Sequence, residues 1–142
     1  DPLPALFEAY ADAREGLRQR EGLAWTLRRF ERDLLEALGV GFALDEDAEG
    51  DPIDPAARYR LYPEQGPRRL LSDRGHEERS RAATGRALLA LARDVRPSAD
   101  DLASLRLPLR SVLAHHLGPR GLKSWEMIGD LGRLKRAGPS AG

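Results

Sequence analysis

The hydrophobic pattern is most regular between residues 22 and 39. Five apolar residues fall at steps of four, three, four and four, which places them on one helical face: Leu23, Leu27, Phe30, Leu34 and Leu38. Trp25, Arg29 and Asp33 turn toward the other side. Gly39 follows the last apolar position, where a left-handed helix cap is expected. The pattern predicts a strong helix whose apolar stripe needs a partner surface.

A second apolar stripe precedes this helix and runs to about residue 18. It comprises Leu3, Leu6, Phe7, Tyr10 and Leu17. Because only a few residues separate the two patterns, we expect residues 1–39 to form an antiparallel helix pair, with any peptide groove between the two helices. Phe7 and Tyr10 are expected in the core, because aromatic residues at helical spacing usually pack inward.

The chain becomes polar between residues 40 and 57, where acids are concentrated at Asp45, Glu46, Asp47, Glu49, Asp51 and Asp54. Asp45, Asp47 and Glu49 have the spacing of the first three ligands of a calcium-binding loop. The twelfth residue of such a loop supplies a carboxylate, and here that residue is Ala56, which has none. Calcium binding is therefore not expected. The composition favours a mobile, solvated loop.

A β-hairpin is expected next. Residues 58–62 alternate and contain β-formers, residues 63–66 are typical of a turn, and residues 68–71 supply a return strand. Two strands alone are marginally stable, so the hairpin should pack on the helices. Its four arginines are Arg58, Arg60, Arg68 and Arg69. They would contact either phosphate or the acidic loop, and the acidic loop is slightly favoured.

Helical patterns return after the hairpin. Residues 84–94 are good helix formers and predict a short helix. Ser98, with an acid three residues later, resembles a capping box that begins the next helix. Pro108 predicts a kink or two abutting segments near Leu107. Gly118 is expected to end this helix.

The end of the chain is basic and rich in glycine. Residues 118–124 predict a loop into a last helix with Ser124 as its cap, and residues 133–142 predict a flexible basic tail. His115 and His116 lie just before the loop. Adjacent residues point about 100° apart on a helix, so we do not expect these histidines to share a metal.

Composition narrows the class of protein. The chain of 142 residues is one domain's worth, and it has no cysteine, which excludes disulfides and thiolate zinc sites. Its apolar runs are too short to cross a bilayer. No nucleophile–base pair, paired acids or nucleotide fingerprint is visible, so we do not expect an enzyme or a cofactor.

Charge is unevenly distributed along the chain. Residues 1–54 hold six basic and 14 acidic residues, whereas residues 55–142 hold 17 and nine. Basic halves of this kind often meet phosphate backbones, but two oppositely charged halves also attract each other. Counts alone do not decide between these interpretations.

These patterns predict a mainly α fold, a helical domain with a small β-hairpin insertion. We expect four parts: a helix pair over 1–39, the acidic loop and hairpin over 40–75, the remaining helices over 76–132, and a basic tail over 133–142.

Five short motifs occur in a recognisable order along the chain. The central one is Arg28-Arg29-Phe30-Glu31, followed by Leu34-Leu35 and Leu38-Gly39-Val40-Gly41. The others are Leu6-Phe7-Glu8-Ala9-Tyr10, Tyr59-Arg60-Leu61-Tyr62 with Glu64-Gln65-Gly66, Thr84-Gly85-Arg86-Ala87-Leu88-Leu89, and His116-Leu117-Gly118 with Leu122-Lys123-Ser124. Together they resemble the C-terminal helical region of the bacterial RecO family of recombination and repair proteins.

The resemblance implies a chain without the OB-fold that precedes this region in the family, and therefore a fragment. It also implies a cysteine-free version of a middle region that in many relatives holds zinc. The family's function would be that of a recombination mediator, which works with RecR, binds the acidic tail of single-stranded DNA-binding protein (SSB), anneals strands and helps load RecA onto gapped DNA. Such a protein is cytoplasmic and nucleoid-associated, with no membrane partner. The alternatives are a stand-alone, non-sequence-specific nucleic-acid-binding helical module and a purely architectural role.

The resemblance also directs attention to particular residues. The SSB tail ends in an aromatic residue with a free carboxylate. Arg28 is expected to pair with that carboxylate, beside an apolar notch at Leu35; otherwise Arg28 is an ordinary solvated helix arginine. Leu27, Phe7 and Tyr10 would complete the peptide site. In the family, most DNA contact would come from the OB-fold. For the alternative of a nucleic-acid-binding module, contacts to single- and double-stranded DNA are expected from Arg110, Arg120, Lys123, Arg133, Lys135 and Arg136.

Overall fold

Helices form most of the chain, and one small antiparallel sheet is inserted after the first of them. The computed structural model describes residues 2–71 and 75–137, and the side chains of residues 2–10, 13, 14 and 125–137 lie outside this description. The elements in order are α1 (Pro2–Ala37), β1 (Arg58–Tyr62), β2 (Gly66–Arg69), α2 (His76–Ser80), β3 (Ala83–Thr84), α3 (Gly85–Arg93), α4 (Ala99–Ser104) and α5 (Arg106–Ala137). The mainly α prediction with a small β insertion is confirmed.

Helix α1 differs from the prediction of an antiparallel helix pair over residues 1–39. One continuous helix of 36 residues spans Pro2–Ala37. The residues between the two apolar stripes are strong helix formers, and Gly16 and Gly22 each cost only about 1 kcal/mol relative to alanine. Neither glycine therefore breaks the helix, and the predicted groove between two helices does not form.

The face that α1 turns to the core is also different from the predicted one. Phe30 and Leu38, both in the predicted stripe, are 55% and 44% exposed. Leu35 is buried instead, and Trp25, which we assigned to the opposite side, packs against the core. Two charged residues on the core side of α1, Arg28 and Glu31, are also buried, as an ion pair. Periodicity of apolar residues alone does not reveal such a pair.

The sheet confirms the hairpin and adds a third strand. Strand order is β2-β1-β3, with Tyr59 opposite Arg69 and Tyr62 opposite Gly66. Alternation buries Tyr59 and Leu61 against the helices and exposes Arg60 and Tyr62. Strand β3 has two residues, too few for any periodicity to predict it.

The acidic stretch is folded, contrary to the prediction of a mobile loop. The carboxylate of Asp47 accepts hydrogen bonds from the backbone N–H groups of Glu49 and Asp51, at 2.8 and 3.0 Å. The N–H of Ala48 donates to the carbonyl of Pro67 on β2, at 2.8 Å, and Ile53 is buried in the core. These bonds and one anchoring side chain give the loop a defined shape that its composition did not indicate.

A close backbone contact attaches this loop to α3. The N–H of Gly85 donates to the carbonyl of Ala57, at 2.8 Å. A Cβ atom at Gly85 would lie 1.9 Å from the carbonyl oxygen of Asp54. Only glycine fits this approach of two backbones.

Helices α3 and α4 and the start of α5 follow their predicted signals closely. Thr84 caps α3, and Ser98 caps α4 by accepting from the N–H of Asp101, at 3.3 Å. Two segments abut at Leu105, where α4 ends and α5 begins, which confirms the predicted break. Pro108 lies in the first turn of α5, where proline is tolerated.

The last part of α5 begins earlier than predicted. Gly118 has φ of 72° and ψ of 176°, so it breaks the helix as expected. The helix resumes at Pro119, because proline is well suited to the first helical position. Ser124 therefore lies inside the helix and is not its cap. The predicted tail is helical to Ala137, and its remainder, residues 138–142, lies outside the described residues.

Candidate functional site

Arg28, the expected partner of a peptide carboxylate, lies in a buried ion pair with Glu31. Its Nε atom is 2.6 Å from Oε1 of Glu31, and Nη2 donates to Oε2 at 3.2 Å. The two residues are 8% and 3% exposed. The interpretation of Arg28 as a solvated helix arginine is therefore wrong. A carboxylate is already the partner of this guanidinium in the folded chain.

The other residues expected at the peptide site are spread over different environments. Leu27 is half-buried, and Leu35 is buried in the core, 5% exposed. Phe7 and Tyr10 have side chains outside the described residues. The structure thus brings Arg28 and Leu35 to the core side of α1, and it does not test their joint role.

Leu35 does border a cavity of about 480 Å³ at the C-terminal end of α1. Its walls are largely apolar and include Val40, Phe42 and Leu44, and its cation is Arg32. The arginine that lines this cavity is Arg32 and not Arg28, and two acidic residues, Glu36 and Asp45, also line it.

Arg32 belongs to an ion-pair cluster that joins α1 to the end of α3. Asp94 accepts from Nε of Arg29 at 2.8 Å and from Nη1 of Arg32 at 2.9 Å. Asp94 has φ of 59°, in the left-handed region. The hydrogen bonds from Arg32 and Arg29 lower the pKa of Asp94. Burial lowers the pKa of Arg32, but hydrogen bonds to Asp94 and Asp33 outweigh burial and raise it.

A second network surrounds the carboxylate of Asp101. It accepts from the hydroxyl of Thr84 at 2.8 Å, from Nε of Arg86 at 3.1 Å and from the hydroxyl of Ser98 at 3.0 Å. Burial raises the pKa of Asp101, but these hydrogen bonds, led by that of Arg86, outweigh it and lower the pKa. The network links β3, α3 and α4 and is structural in character.

The residues expected to contact DNA lie on α5. Arg110, Arg120 and Lys123 are exposed. The side chains of Arg133, Lys135 and Arg136 are outside the described residues. Arg110 lies before the break at Gly118, and Arg120 and Lys123 lie after it.

Arg110 lines a cavity together with two arginines that were not predicted as DNA-binding residues. Arg60 on β1, Arg81 before β3 and Arg110 on α5 line one cavity of about 460 Å³. Leu61, Leu107, Pro108, Ser111 and Ala114 complete its lining. We call this site the arginine hollow. Exposure of Arg60 was readable from the strand alternation, but the convergence of three elements was not.

The hairpin arginines have different partners. Arg69 lies 3.4 Å from the carboxylate of Asp54 in the acidic loop, as the favoured interpretation expected. Arg68 donates to the side chain of Gln65, at 2.6 Å. Arg60 lies over the ring of Tyr62, 5.5 Å from its centroid.

The two histidines contact the hairpin turn. His116 Nε2 lies 3.0 Å from the carbonyl oxygen of Pro63, and His115 Nε2 lies 3.5 Å from a carboxylate oxygen of Glu64. Within residues 2–71 and 75–137, no group of three or more metal-binding side chains is close enough to hold an ion. No helix in this part of the chain is long and apolar enough to cross a membrane.

The chain is thus a mainly α domain with a three-stranded insertion and arginine-rich surfaces. The family described as "Recombination protein O C terminal" matches residues 1–126, and the chain belongs to this family. The predicted resemblance to the RecO family is confirmed.

Curated relatives support the same assignment. The chain is 68% identical over 131 residues to the DNA repair protein RecO of Stenotrophomonas maltophilia (strain K279a), covering 92% of this chain and 54% of the relative. It is 58% identical over 135 residues to the protein of the same name from Xanthomonas oryzae pv. oryzae (strain PXO99A), covering 95% and 56%. The DNA repair protein RecO of Xylella fastidiosa (strain M12) is 59% identical to this chain over 127 residues, which are 89% of this chain and 52% of the relative. The chain spans about half the length of these relatives.

Proposed function

We propose that this chain is the helical part of a mediator of DNA repair and homologous recombination. It would act by recruitment without catalysis, docking on the SSB tail and on RecR, promoting strand annealing and helping to load RecA onto gapped DNA. Membership of the family, over residues 1–126, is the observation that carries this proposal. The role would place the protein in the cytoplasm, on the nucleoid.

The proposed peptide site is the core side of α1. The terminal aromatic residue of the SSB tail would enter the apolar cavity at Leu35, and its carboxylate would pair with Arg28. Because Arg28 is held by Glu31 at 2.6 Å, the peptide carboxylate would replace that of Glu31. Leu27 would flank the site. Arg32, which lines the same cavity as Leu35, is the competing partner for the carboxylate.

The test is a titration of the chain with a fluorescent SSB C-terminal peptide at two salt concentrations. A peptide lacking the terminal phenylalanine is the matched ligand control. Binding of the intact peptide alone, weakened by salt, is expected, because charge steers the acidic segment and the aromatic residue anchors it. Binding of neither peptide by a chain that circular dichroism shows to be folded would refute docking on this domain.

Two paired substitutions separate the role of Arg28 from general effects on α1. Arg28→Met with Glu31→Leu removes the cation and fills the space with apolar atoms of similar size. Glu15→Gln with Arg18→Gln changes one acidic and one basic residue, both exposed, on the same helix and serves as control. We expect the first pair to lose peptide binding and the second to retain it. Equal affinity in both would exclude Arg28 as the carboxylate receptor.

A stand-alone nucleic-acid-binding module is the second candidate. The exposure of Arg110, Arg120 and Lys123 favours it. This function predicts binding of oligonucleotides without sequence preference and with a steep dependence on salt. Oligonucleotide binding with no affinity for the SSB peptide would favour it over the first proposal.

A further inference from the structure

A groove of about 720 Å³ lies between helix α3 and the acidic loop. Its helix wall is a single stripe of α3, formed by Arg86, Leu89, Ala90 and Arg93. Residues three, four and seven positions apart share one face of a helix, so two apolar side chains lie between two arginines. We call this site the loop groove.

The opposite wall is held in place by bonds within the acidic loop. Glu46 forms a β-bridge with Pro52, and the N–H of Ile53 donates to the carbonyl of Asp45 at 3.0 Å. Ile53 is itself buried in the core. Both walls are therefore in position before any partner binds.

Apolar surface is exposed along the rim of the groove. Val95 follows the end of α3 and is 59% exposed, and its backbone N–H donates to the carbonyl of Ala90 at 2.9 Å. An apolar residue at this place often packs on the last helical turn, but most of the Val95 side chain stays in solvent. Pro52 and Pro55 are exposed on the loop side. Apolar surface with a charged rim is typical of protein interaction sites.

The charges of the groove are only partly matched within the chain. Arg86 is bonded to Asp101, at 3.1 and 3.4 Å. Arg93, Asp45 and Glu46 have exposed side chains that form no ion pair in the part of the chain that the structure describes. The position of Arg93 in the last turn of α3 suits the helix dipole. The dipole does not account for the two carboxylates.

This mixture of charges restricts the kind of partner that fits the groove. An acidic segment or a phosphate backbone would meet Arg93, but it would also meet the carboxylates of Asp45 and Glu46. A basic segment would meet those carboxylates, but it would also meet the arginines. A surface that carries both signs around an apolar centre avoids both conflicts. The loop groove itself has this composition, and a two-fold axis can place the cation of one copy opposite the acids of another.

We propose that the loop groove is a self-association surface that pairs two copies of this chain about a two-fold axis. Arg93 of each copy would pair with Asp45 and Glu46 of the other copy. Val95 of each copy would enter the other groove beside Leu89. Ten described residues line the groove, fewer than the roughly 20–30 residues a side of a standard interface, so the dimer should be weak. The inference does not depend on peptide or nucleic-acid binding.

The first test is sedimentation velocity of the chain at concentrations up to about 1 mM, the range in which small interfaces associate. We expect a monomer–dimer equilibrium that salt weakens, because exposed charges take part in it. A chain that stays monomeric at the highest concentration would overturn the proposal.

Charge reversal tests the pairing itself. The acid variant carries Arg93→Glu, and the base variant carries Asp45→Lys with Glu46→Lys. Each variant alone would place like charges opposite each other twice in the dimer, so its self-association should be at least about tenfold weaker. In an equimolar mixture of the two variants, both contacts of the mixed dimer join opposite charges. The mixture should therefore associate about as well as the unchanged chain.

Matched controls separate this pairing from an effect of net charge. Arg18→Glu is the control for the acid variant, and Asp12→Lys with Glu15→Lys is the control for the base variant; all three residues are exposed on α1. Both controls should associate like the unchanged chain. Losses equal to those of the groove variants would overturn the proposal, because net charge alone would then explain association.

Two further outcomes complete the test. A mixture of acid and base variants that stays monomeric, although circular dichroism shows both to be folded, would place the interface elsewhere and overturn the proposal. Val95→Ser leaves every charge in place and should weaken the dimer several-fold, because an apolar contact is lost. An unchanged dimer in this variant would refute the insertion of Val95, and with it the proposed interface.

Discussion

The buried pair of Arg28 and Glu31 gives the sharpest prediction about the stability of this domain. Their side chains are 10% and 4% exposed, and two contacts of 2.6 and 3.2 Å join them. Arg28→Met alone would leave the Glu31 carboxylate buried without its cation. Removing one partner of such a pair costs about 3–5 kcal/mol, because the remaining charge stays desolvated and loses the attraction of its ion-pair partner.

The double substitution should behave differently from either single one. Replacing both Arg28 and Glu31 by apolar residues removes both charges, and such exchanges are often neutral or stabilising. We therefore expect Arg28→Met with Glu31→Leu to lie within about 1 kcal/mol of the unchanged chain. Each single variant should lose roughly 10–20 °C in Tm, since about 1 kcal/mol shifts Tm by several degrees in a chain of this size.

Urea unfolding of the four proteins, followed by circular dichroism, measures the double-mutant cycle. The coupling free energy should be large, because the two single losses do not add in the double variant. Two single losses below about 1 kcal/mol would refute the reasoning. Such a result would mean that water reaches the pair and that these residues behave as surface charges.

Three further predictions concern other contacts. Gly85→Ala should destabilise the chain by several kcal/mol in urea unfolding, because a methyl group would meet the carbonyl of Asp54; a loss below 1 kcal/mol would show that the loop moves freely. Asp101→Asn should cost about 1.5–3 kcal/mol at neutral pH. Because its folded pKa is lowered, this difference should vanish as the pH falls below about 4, through the folded pKa; a difference that persists in acid would exclude the charge as its cause. Asp94→Asn should lower Tm at low salt more than in high salt, since two exposed arginine pairs are lost; equal losses would exclude electrostatics.

The sequence predicts those elements whose signals are local. The cap at Ser98, the break at Gly118 and the turn at residues 63–66 each depend on a few neighbouring residues, and each is found in the structure. Strand β3 has only two residues, so its existence depends entirely on pairing with a distant strand. No local pattern contains that information.

The errors at α1 and at the arginine hollow have a common physical origin. Arg28 and Glu31 are charged, so a reading of apolar spacing assigns them to solvent, although pairing permits their burial. Arg60, Arg81 and Arg110 are more than 20 residues apart, and only the packing of α5 against β1 brings them to one cavity. In both cases the position of an arginine depends on residues that are not part of the local apolar pattern from which the prediction was made.

The contact between Gly85 and the Asp54 carbonyl has a consequence for sequence variation in this family. A side chain at position 85 has no room while the acidic loop keeps its present course. Insertions or deletions close to residue 54 should therefore appear together with changes around the start of α3. Gly50 at the exposed loop tip has space for a side chain, but its φ of 88° and the hydrogen bonds from Glu49 and Asp51 to Asp47 oppose changes there as well.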